Sequence, residues 1–276
     1  MIVSILGCGW YGKALAKALL QKGIVVNGST TSSEKLDTLR EAGVHPYLVQ
    51  VNADQITDDT TFFKCDALVI SIHPGLKKGE GSVYLPKINN IIQAILQNHI
   101  QKVVYISSTG VYGDYSKTVS ESDDPYPDTE SGKILLEAER LFRKEPAFKT
   151  TIIRFGGLVG PGRHPGRFFA GKKGIPNGLA PVNMIHLDDC VCIGSAIIEQ
   201  EAFGYLFNAC SPDHPAKEDF YKDATLKGGY EIPEFTQELT KWKIVESINL
   251  KPILNYTFKI QSWKDCTFST LPQSSN

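Results

Sequence analysis

The sequence predicts an α/β fold, a doubly wound parallel sheet with a small C-terminal lobe, on three observations. An apolar run, Met1 to Leu6, passes directly into Gly7-Cys8-Gly9-Trp10-Tyr11-Gly12. Strand-like and helix-like runs then alternate at the rhythm of β-α-β units as far as Phe155. The largely β-branched run Ala67 to Ile72 has the near-continuous apolar character of a central strand covered on both faces.

The first strand ends at Leu6, and the six residues after it are read by position. Gly7 permits a tight turn, Gly9 leaves room for the backbone to approach a pyrophosphate, and Gly12 lets the following helix sit close to the sheet. Lys13 to Lys22 places Ala14, Leu15, Ala18 and Leu19 on one helical face, with Gly23 as its stop. That context makes the core Rossmann-type and makes Gly7, Gly9, Trp10, Tyr11 and Gly12 candidate cofactor-binding residues.

Ile24 to Asn27 reads as the second strand, Glu34 to Glu41 as a short helix and Tyr47 to Val49 as the third strand. After the central strand, ended by His73-Pro74-Gly75, Leu85 to Gln97 is helical, with Ile88, Ile91, Ile92 and Ile95 at helical spacing. Lys102 to Ser107 returns as a strand. Asp114 to Pro127 is a polar loop, Ser131 to Lys144 a helix, and Thr150 to Phe155 a strand before the glycine-rich turn Gly156 to Gly162. Residues 163–182 show no steady period. His186 to Ile198 reads as helix, Tyr205 to Asn208 as strand and Lys217 to Gly228 as helix, before a small lobe and a polar tail. The division this implies is a nucleotide-binding core over 1–160 and a mixed region over 161–276, which returns to the core and forms a small substrate lobe.

Composition narrows the classes of function. With 29 basic and 30 acidic residues in 276, the net charge is -1, so no global field gathers nucleic acid or anionic lipid. No 18-residue apolar window and no charged leader is present, and the expectation is a cytoplasmic protein without membrane partners. Six cysteines, at 8, 65, 190, 192, 210 and 266, follow neither a zinc nor a disulfide spacing and read as reduced packing residues. The histidines at 45, 73, 99, 164, 186 and 214 are scattered, so no metal site is expected.

Cofactor choice should rest on the end of the second strand, Asn27-Gly28-Ser29-Thr30-Thr31-Ser32. A carboxylate there would grip a ribose 2′-hydroxyl and repel a 2′-phosphate, and none occurs before Glu34. Ser29, Thr30, Thr31 and Lys35 can instead donate to a phosphate, which favours NADP, with NAD as the alternative. The same hydroxyls could cap the helix ahead of Glu34. His73, at a strand end, is a further candidate on the cofactor side.

Ser107, Ser108 and Thr109 leave the carboxyl end of a central strand, where open α/β sheets bind ligands. The segments Gly7 to Gly12, Ser107-Ser108-Thr109-Gly110-Val111-Tyr112-Gly113, Gly160-Pro161-Gly162 and Asn183 to Asp189 together resemble the extended or atypical short-chain dehydrogenase/reductases of the NAD-dependent epimerase/dehydratase type. The spelling Gly7-Cys8-Gly9-Trp10 and the short C-terminal lobe are closest to a bacterial NAD(P)-dependent oxidoreductase subgroup. The resemblance implies that Ser107 lies at the cofactor, that Ser108 holds a substrate oxygen and that Lys133 binds the nicotinamide ribose. It also implies a proton-transferring tyrosine four residues before the lysine, where this chain has Thr129. A phenol near pKa 10 can be tuned by an ammonium, whereas an aliphatic hydroxyl is too weak an acid.

Tyr126, three residues earlier, is the candidate for a displaced acid. His186 shapes the cleft floor in the resembled family, and Asp188 and Asp189 are expected to cap and charge-match a helix N-terminus. Arg163, Arg167, Lys172 and Lys173 surround Phe168 and Phe169, a segment suited to drawing in an anionic substrate. The reading is an oxidoreductase or epimerase-like enzyme acting on a small polar or nucleotide-linked carbonyl or alcohol, as monomer or homodimer. The alternative is a non-catalytic NAD(P)-binding sensor or scaffold.

Overall fold

The computed structural model describes residues 1–57, 61–75, 79 and 81–268. The polar tail expected at the C-terminus lies largely outside them. The amino-terminal half runs β1 (Ile2–Leu6), α1 (Trp10–Gln21), β2 (Val25–Thr30), α2 (Leu36–Glu41), β3 (His45–Leu48), the short pair β4 (Gln50–Val51) and β5 (Ile56–Thr57), β6 (Ala67–Ile70), α3 (Gly81–Gln97) and β7 (Lys102–Ser108). There follow β8 (Lys117–Val119), α4 (Glu130–Lys144), β9 (Lys149–Phe155), β10 (Gly157–Val159), α5 (Gly166–Phe169), β11 (Met184–His186) and α6 (Leu187–Glu199). The chain continues through β12 (Leu206–Ala209), α7 (Lys217–Lys227), β13 (Lys243–Val245) and α8 (Leu250–Leu254).

Among the described residues the main sheet has seven strands in the order β12-β9-β7-β6-β1-β2-β3, every neighbouring pair parallel. The order reverses between β1 and β6, and at such a switch point the loops diverge and open a crevice. β1 and β6 are buried on both sides, with Val3, Ile5, Leu68 and Ile70 fully shielded from solvent. Tyr11, Leu15, Leu19, Ile193 and Ile197 of α1 and α6 cover one face; Ile88, Ile91, Ile95, Leu135 and Phe142 of α3 and α4 cover the other.

A third apolar cluster, with Val159, Met184, Phe220, Tyr221, Trp263 and Phe268, forms the C-terminal lobe. Here the sequence pattern was weakest. β8 and β13 pair in parallel across more than a hundred residues, and three-residue strands give no readable alternation. The glycine-rich stretch after β9 is not a bare turn, because Gly157–Val159 pairs in parallel with Met184–His186. No described helix is long and apolar enough to cross a membrane.

Candidate functional site

Each glycine of the first turn has its own physical reason. Gly7 has φ +98°, in the left-handed region, and a side chain there would lie 2.8 Å from the Ser71 carbonyl oxygen. At Gly12 a Cβ would lie 2.5 Å from the Gly7 carbonyl oxygen, so α1 could not sit as close to β1. At Gly9 it would meet no atom within 4 Å. The first intrahelical bond of α1 runs from Lys13 N to Gly9 O at 3.0 Å, and the amides of Trp10, Tyr11 and Gly12 find no acceptor among the described residues. No side chain caps the helix and no acid occupies its first turn. These amides fit a diphosphate, since they are oriented, partially positive and uncompensated.

A cleft of roughly 530 Å³ runs from this turn across the ends of β1, β2 and β6. Thr30, Thr31, Lys35 and His73 line it, while Glu34 is not among its lining residues. Thr31 and Lys35 are exposed, and Thr30 is half-buried with its Oγ1 accepting from Ser32 N at 3.2 Å. Ser29 lines the cleft and is 2 % exposed; its Oγ accepts from Gly7 N at 2.8 Å and its carbonyl from Cys8 N at 2.9 Å, so it fastens β2 to the turn while its own hydroxyl proton is left to donate. Gln50, Val51, Asn52 and Lys87 also line the cleft. No motif marks them; Gln50 to Asn52 reach the cleft because β3 lies at the sheet edge, and Lys87 because α3 packs beside it.

Trp10 and Tyr11 contribute amides, and their side chains are engaged elsewhere. Tyr11 packs edge-on against Phe155 at 5.1 Å, and its hydroxyl, enclosed beside Gly194, has no hydrogen-bond partner among the described residues. Burial pushes its phenol above the usual range. The Trp10 indole donates from Nε1 to the Pro161 carbonyl at 2.6 Å and carries the Arg163 guanidinium 4.5 Å above its ring.

The second part of the site lies at the end of β7. Ser107 is 5 % exposed and donates its hydroxyl proton to Glu139 Oε1 inside the core, so its side chain is withdrawn from the cleft. Glu139 is paired with Arg154, whose Nη2 reaches Oε2 at 2.6 Å and whose Nη1 donates to the Tyr112 hydroxyl at 2.7 Å. Ser108 is half-buried, and its Oγ accepts from Gly110 N at 3.1 Å, leaving its own proton to donate. A Cβ at Gly132 would fall on the Gly110 carbonyl oxygen. That close approach sets the first turn of α4, which Thr129 caps and Lys133 belongs to, against residues 109–111 that follow Ser108.

Thr129 is the N-cap of α4, its Oγ1 accepting from Gly132 N at 3.1 Å. Lys133 is exposed and its ammonium has no partner among the described residues. Tyr126 is 73 % exposed and rests against the Tyr115 ring at 5.6 Å. Its hydroxyl makes no hydrogen bond among the described residues, so nothing fixes it toward Ser108.

Past β10 the expectations are partly rearranged. His186, not the aspartates, caps α6, its Nδ1 accepting from Asp188 N at 3.2 Å. Asp189 is buried and accepts from the amides of Lys259 at 2.7 Å and Ile260 at 3.3 Å, tying down the C-terminal segment. In the basic segment Lys173 pairs with Glu234 at 2.9 Å, and Phe169 packs edge-on against Tyr221 at 4.6 Å. Arg167 lies over Tyr230 and Arg163 over Trp10.

Residues 7–180 match the family model described as NAD(P)H-binding. Protein YeeZ of Escherichia coli (strain K12) is 35% identical over 263 residues, which span 93% of this chain and 95% of that protein. Among solved structures, UDP-N-acetylglucosamine 4-epimerase from Bacillus cereus superposes with a TM-score of 0.77 at 17% identity, covering 96% of this chain and 97% of its own. UDP-glucuronic acid 4-epimerase from Bacillus cereus, in complex with NAD, superposes with a TM-score of 0.75 at 19% identity, covering 96% and 94%. At these identities the structural likeness is one of fold: a parallel sheet flanked by helices, as in the epimerases.

Proposed function

The chain belongs to the NAD(P)H-binding family, and on that premise we propose that it is an NAD(P)-dependent oxidoreductase or epimerase-like enzyme. Its substrate is a small polar or nucleotide-linked carbonyl or alcohol. The observation that carries this reading is the close approach of Gly132, in the first turn of α4, to Gly110 just past Ser108, at the carboxyl ends of the same sheet whose β1 end leads into the diphosphate-ready amides.

When bound, the cofactor supplies the hydride acceptor or donor. The amides of Trp10, Tyr11 and Gly12 hold its diphosphate, and Lys133, free of carboxylates, binds ribose hydroxyls. Ser108, aligned by the Gly110 amide, donates a hydrogen bond to a substrate oxygen and so fixes the reacting carbon. Thr31 and Lys35 line the cleft and Glu34 is not among its lining residues, which favours NADP over NAD.

One observation favours a second reading. Thr129 stands where the resembled enzymes carry their tyrosine, and its hydroxyl is engaged in a helix cap. A protein that kept its cofactor without that acid could serve as a sensor or scaffold.

A single set of measurements tests both. Calorimetry with NADPH and NADH should give micromolar binding, tighter for NADPH; millimolar or weaker binding of both removes the cofactor reading. A screen of carbonyls and sugar nucleotides, followed by NADPH absorbance, should then show turnover that collapses in Ser108→Ala. Tight binding with no turnover on any of them favours the sensor or scaffold.

A further inference from the structure

We propose that Arg163 is the cationic clamp on the cofactor diphosphate, with the Trp10 indole as the shelf that aims it. The inference rests on the NAD(P)-binding reading above and adds a residue from the far side of the chain to that site.

Three observations converge on it. Gly160 and Arg163 close a tight turn by reciprocal backbone bonds, Arg163 N to Gly160 O at 2.8 Å and Gly160 N to Arg163 O at 3.3 Å. The bond from Trp10 Nε1 to Pro161 O, at 2.6 Å, fastens that turn to the start of α1 across 151 residues of sequence. The guanidinium then lies 4.5 Å over the indole ring of the residue whose own amide opens the helix.

The charge arrangement gives the clamp its ligand. Arg163 is exposed and has no carboxylate partner among the described residues, so its five N–H donors are uncommitted. α1 offers no acid in its first turn to neutralise the guanidinium. The guanidinium, held over the side chain of the first α1 residue, and the three unaccepted amides of that turn are thus neighbours, and a diphosphate has the charge and the number of oxygen acceptors to engage both. With no hydrogen-bond partner among the described residues, the guanidinium has its donors free for a bidentate grip on phosphate oxygens, which a lysine could not reproduce. The turn beginning at Gly160 depends on that glycine: its φ is +141°, and a Cβ would lie 3.0 Å from Leu187 Cβ and 3.2 Å from His186 Nε2.

The test uses adenosine, ADP and NADPH as probes, measured by calorimetry on the full chain at low and high salt. Arg163→Ala should weaken ADP and NADPH by about ten- to a hundredfold, as expected for a lost charge-assisted contact, and leave adenosine unchanged. It should also make ADP binding less sensitive to salt. Arg163→Lys should fall between, and Trp10→Leu, which keeps the amide but removes the shelf, should weaken ADP in the same direction. Equal melting temperatures would show that Arg163→Ala is folded. An ADP affinity within twofold of the parent in folded Arg163→Ala overturns the clamp while leaving cofactor binding intact. A parent protein that binds neither ADP nor a dinucleotide overturns the cofactor reading and the clamp together.

Discussion

Thr129 Oγ1 accepts a hydrogen bond from the Gly132 amide at 3.1 Å, making the residue at the resembled family's tyrosine position a structural cap on α4. The exchange has a cost for chemistry and a gain for stability, since an N-cap hydroxyl satisfies a donor that would otherwise be orphaned. Thr129→Ala is expected to destabilise the protein by about 1 kcal/mol, within the usual range for a lost cap, with ADP affinity unchanged. Thr129→Ser should restore most of it. A denaturant titration in which the alanine variant matches the parent would show that the cap carries no weight.

The sheet was legible because its signals are long and local. β1, α1 and α3 carry periodic apolar residues bounded by glycines, and the glycine turn fixes the entry to α1. β2 was drawn three residues short, because Gly28 and Ser29 look like loop; they belong to a strand paired with β1 on one side and β3 on the other. The site was less legible because a side chain's direction depends on partners remote in sequence. Ser107 resembles a cofactor donor until Glu139 is seen to take its hydroxyl proton. Nothing local to Trp10 announces Pro161 and Arg163.

The glycines of the first turn should separate folding from binding. Gly12→Ala places a methyl 2.5 Å from a backbone oxygen that cannot swing aside, so loss of stability or of soluble yield is expected. Gly9→Ala meets nothing within 4 Å and should melt near the parent temperature, yet lose at least tenfold in NADPH affinity, because its methyl stands beside the α1 amides. Normal NADPH binding in a folded Gly9→Ala would remove the diphosphate from that position.

Arg154 and Glu139 are each 2 % exposed, and the pair also holds Ser107 and Tyr112. Removing one partner leaves a buried charge without compensation. Glu139→Ala is expected to cost about 3–5 kcal/mol, or to prevent folding. The double variant Arg154→Met, Glu139→Leu should be more stable than Glu139→Ala, with a residual loss from the hydroxyls of Ser107 and Tyr112. A double variant no better than the single would show that shape, not charge, governs this position.

His164 gives the C-terminal lobe a pH dependence whose sign can be worked out. The ring is 3 % exposed, its Nδ1 accepts from Gly166 N at 3.2 Å, and Tyr230 and Phe268 meet it edge-on at 5.3 Å each. Burial, aided by the nearby Arg167, lowers its pKa below the ordinary 6.5. At pH above 6.5 the ring is neutral in both folded and unfolded chains, and the full stability is present. As the pH falls below 6.5 the unfolded chain takes up a proton that the folded chain resists, so stability declines toward the lowered folded value. Glu121 acts in the opposite sense at more acidic pH, because burial raises its carboxyl above the ordinary 4.5 and folding then favours its protonation. Comparing the parent with His164→Gln cancels that contribution, since the two proteins share Glu121. The melting temperature of the parent should fall more steeply than that of His164→Gln as the pH is lowered through the ordinary 6.5, the direction set by the downward shift. Parallel curves there would mean that His164 titrates alike in both states, and that its hydrogen bond from Gly166 does not require the neutral ring.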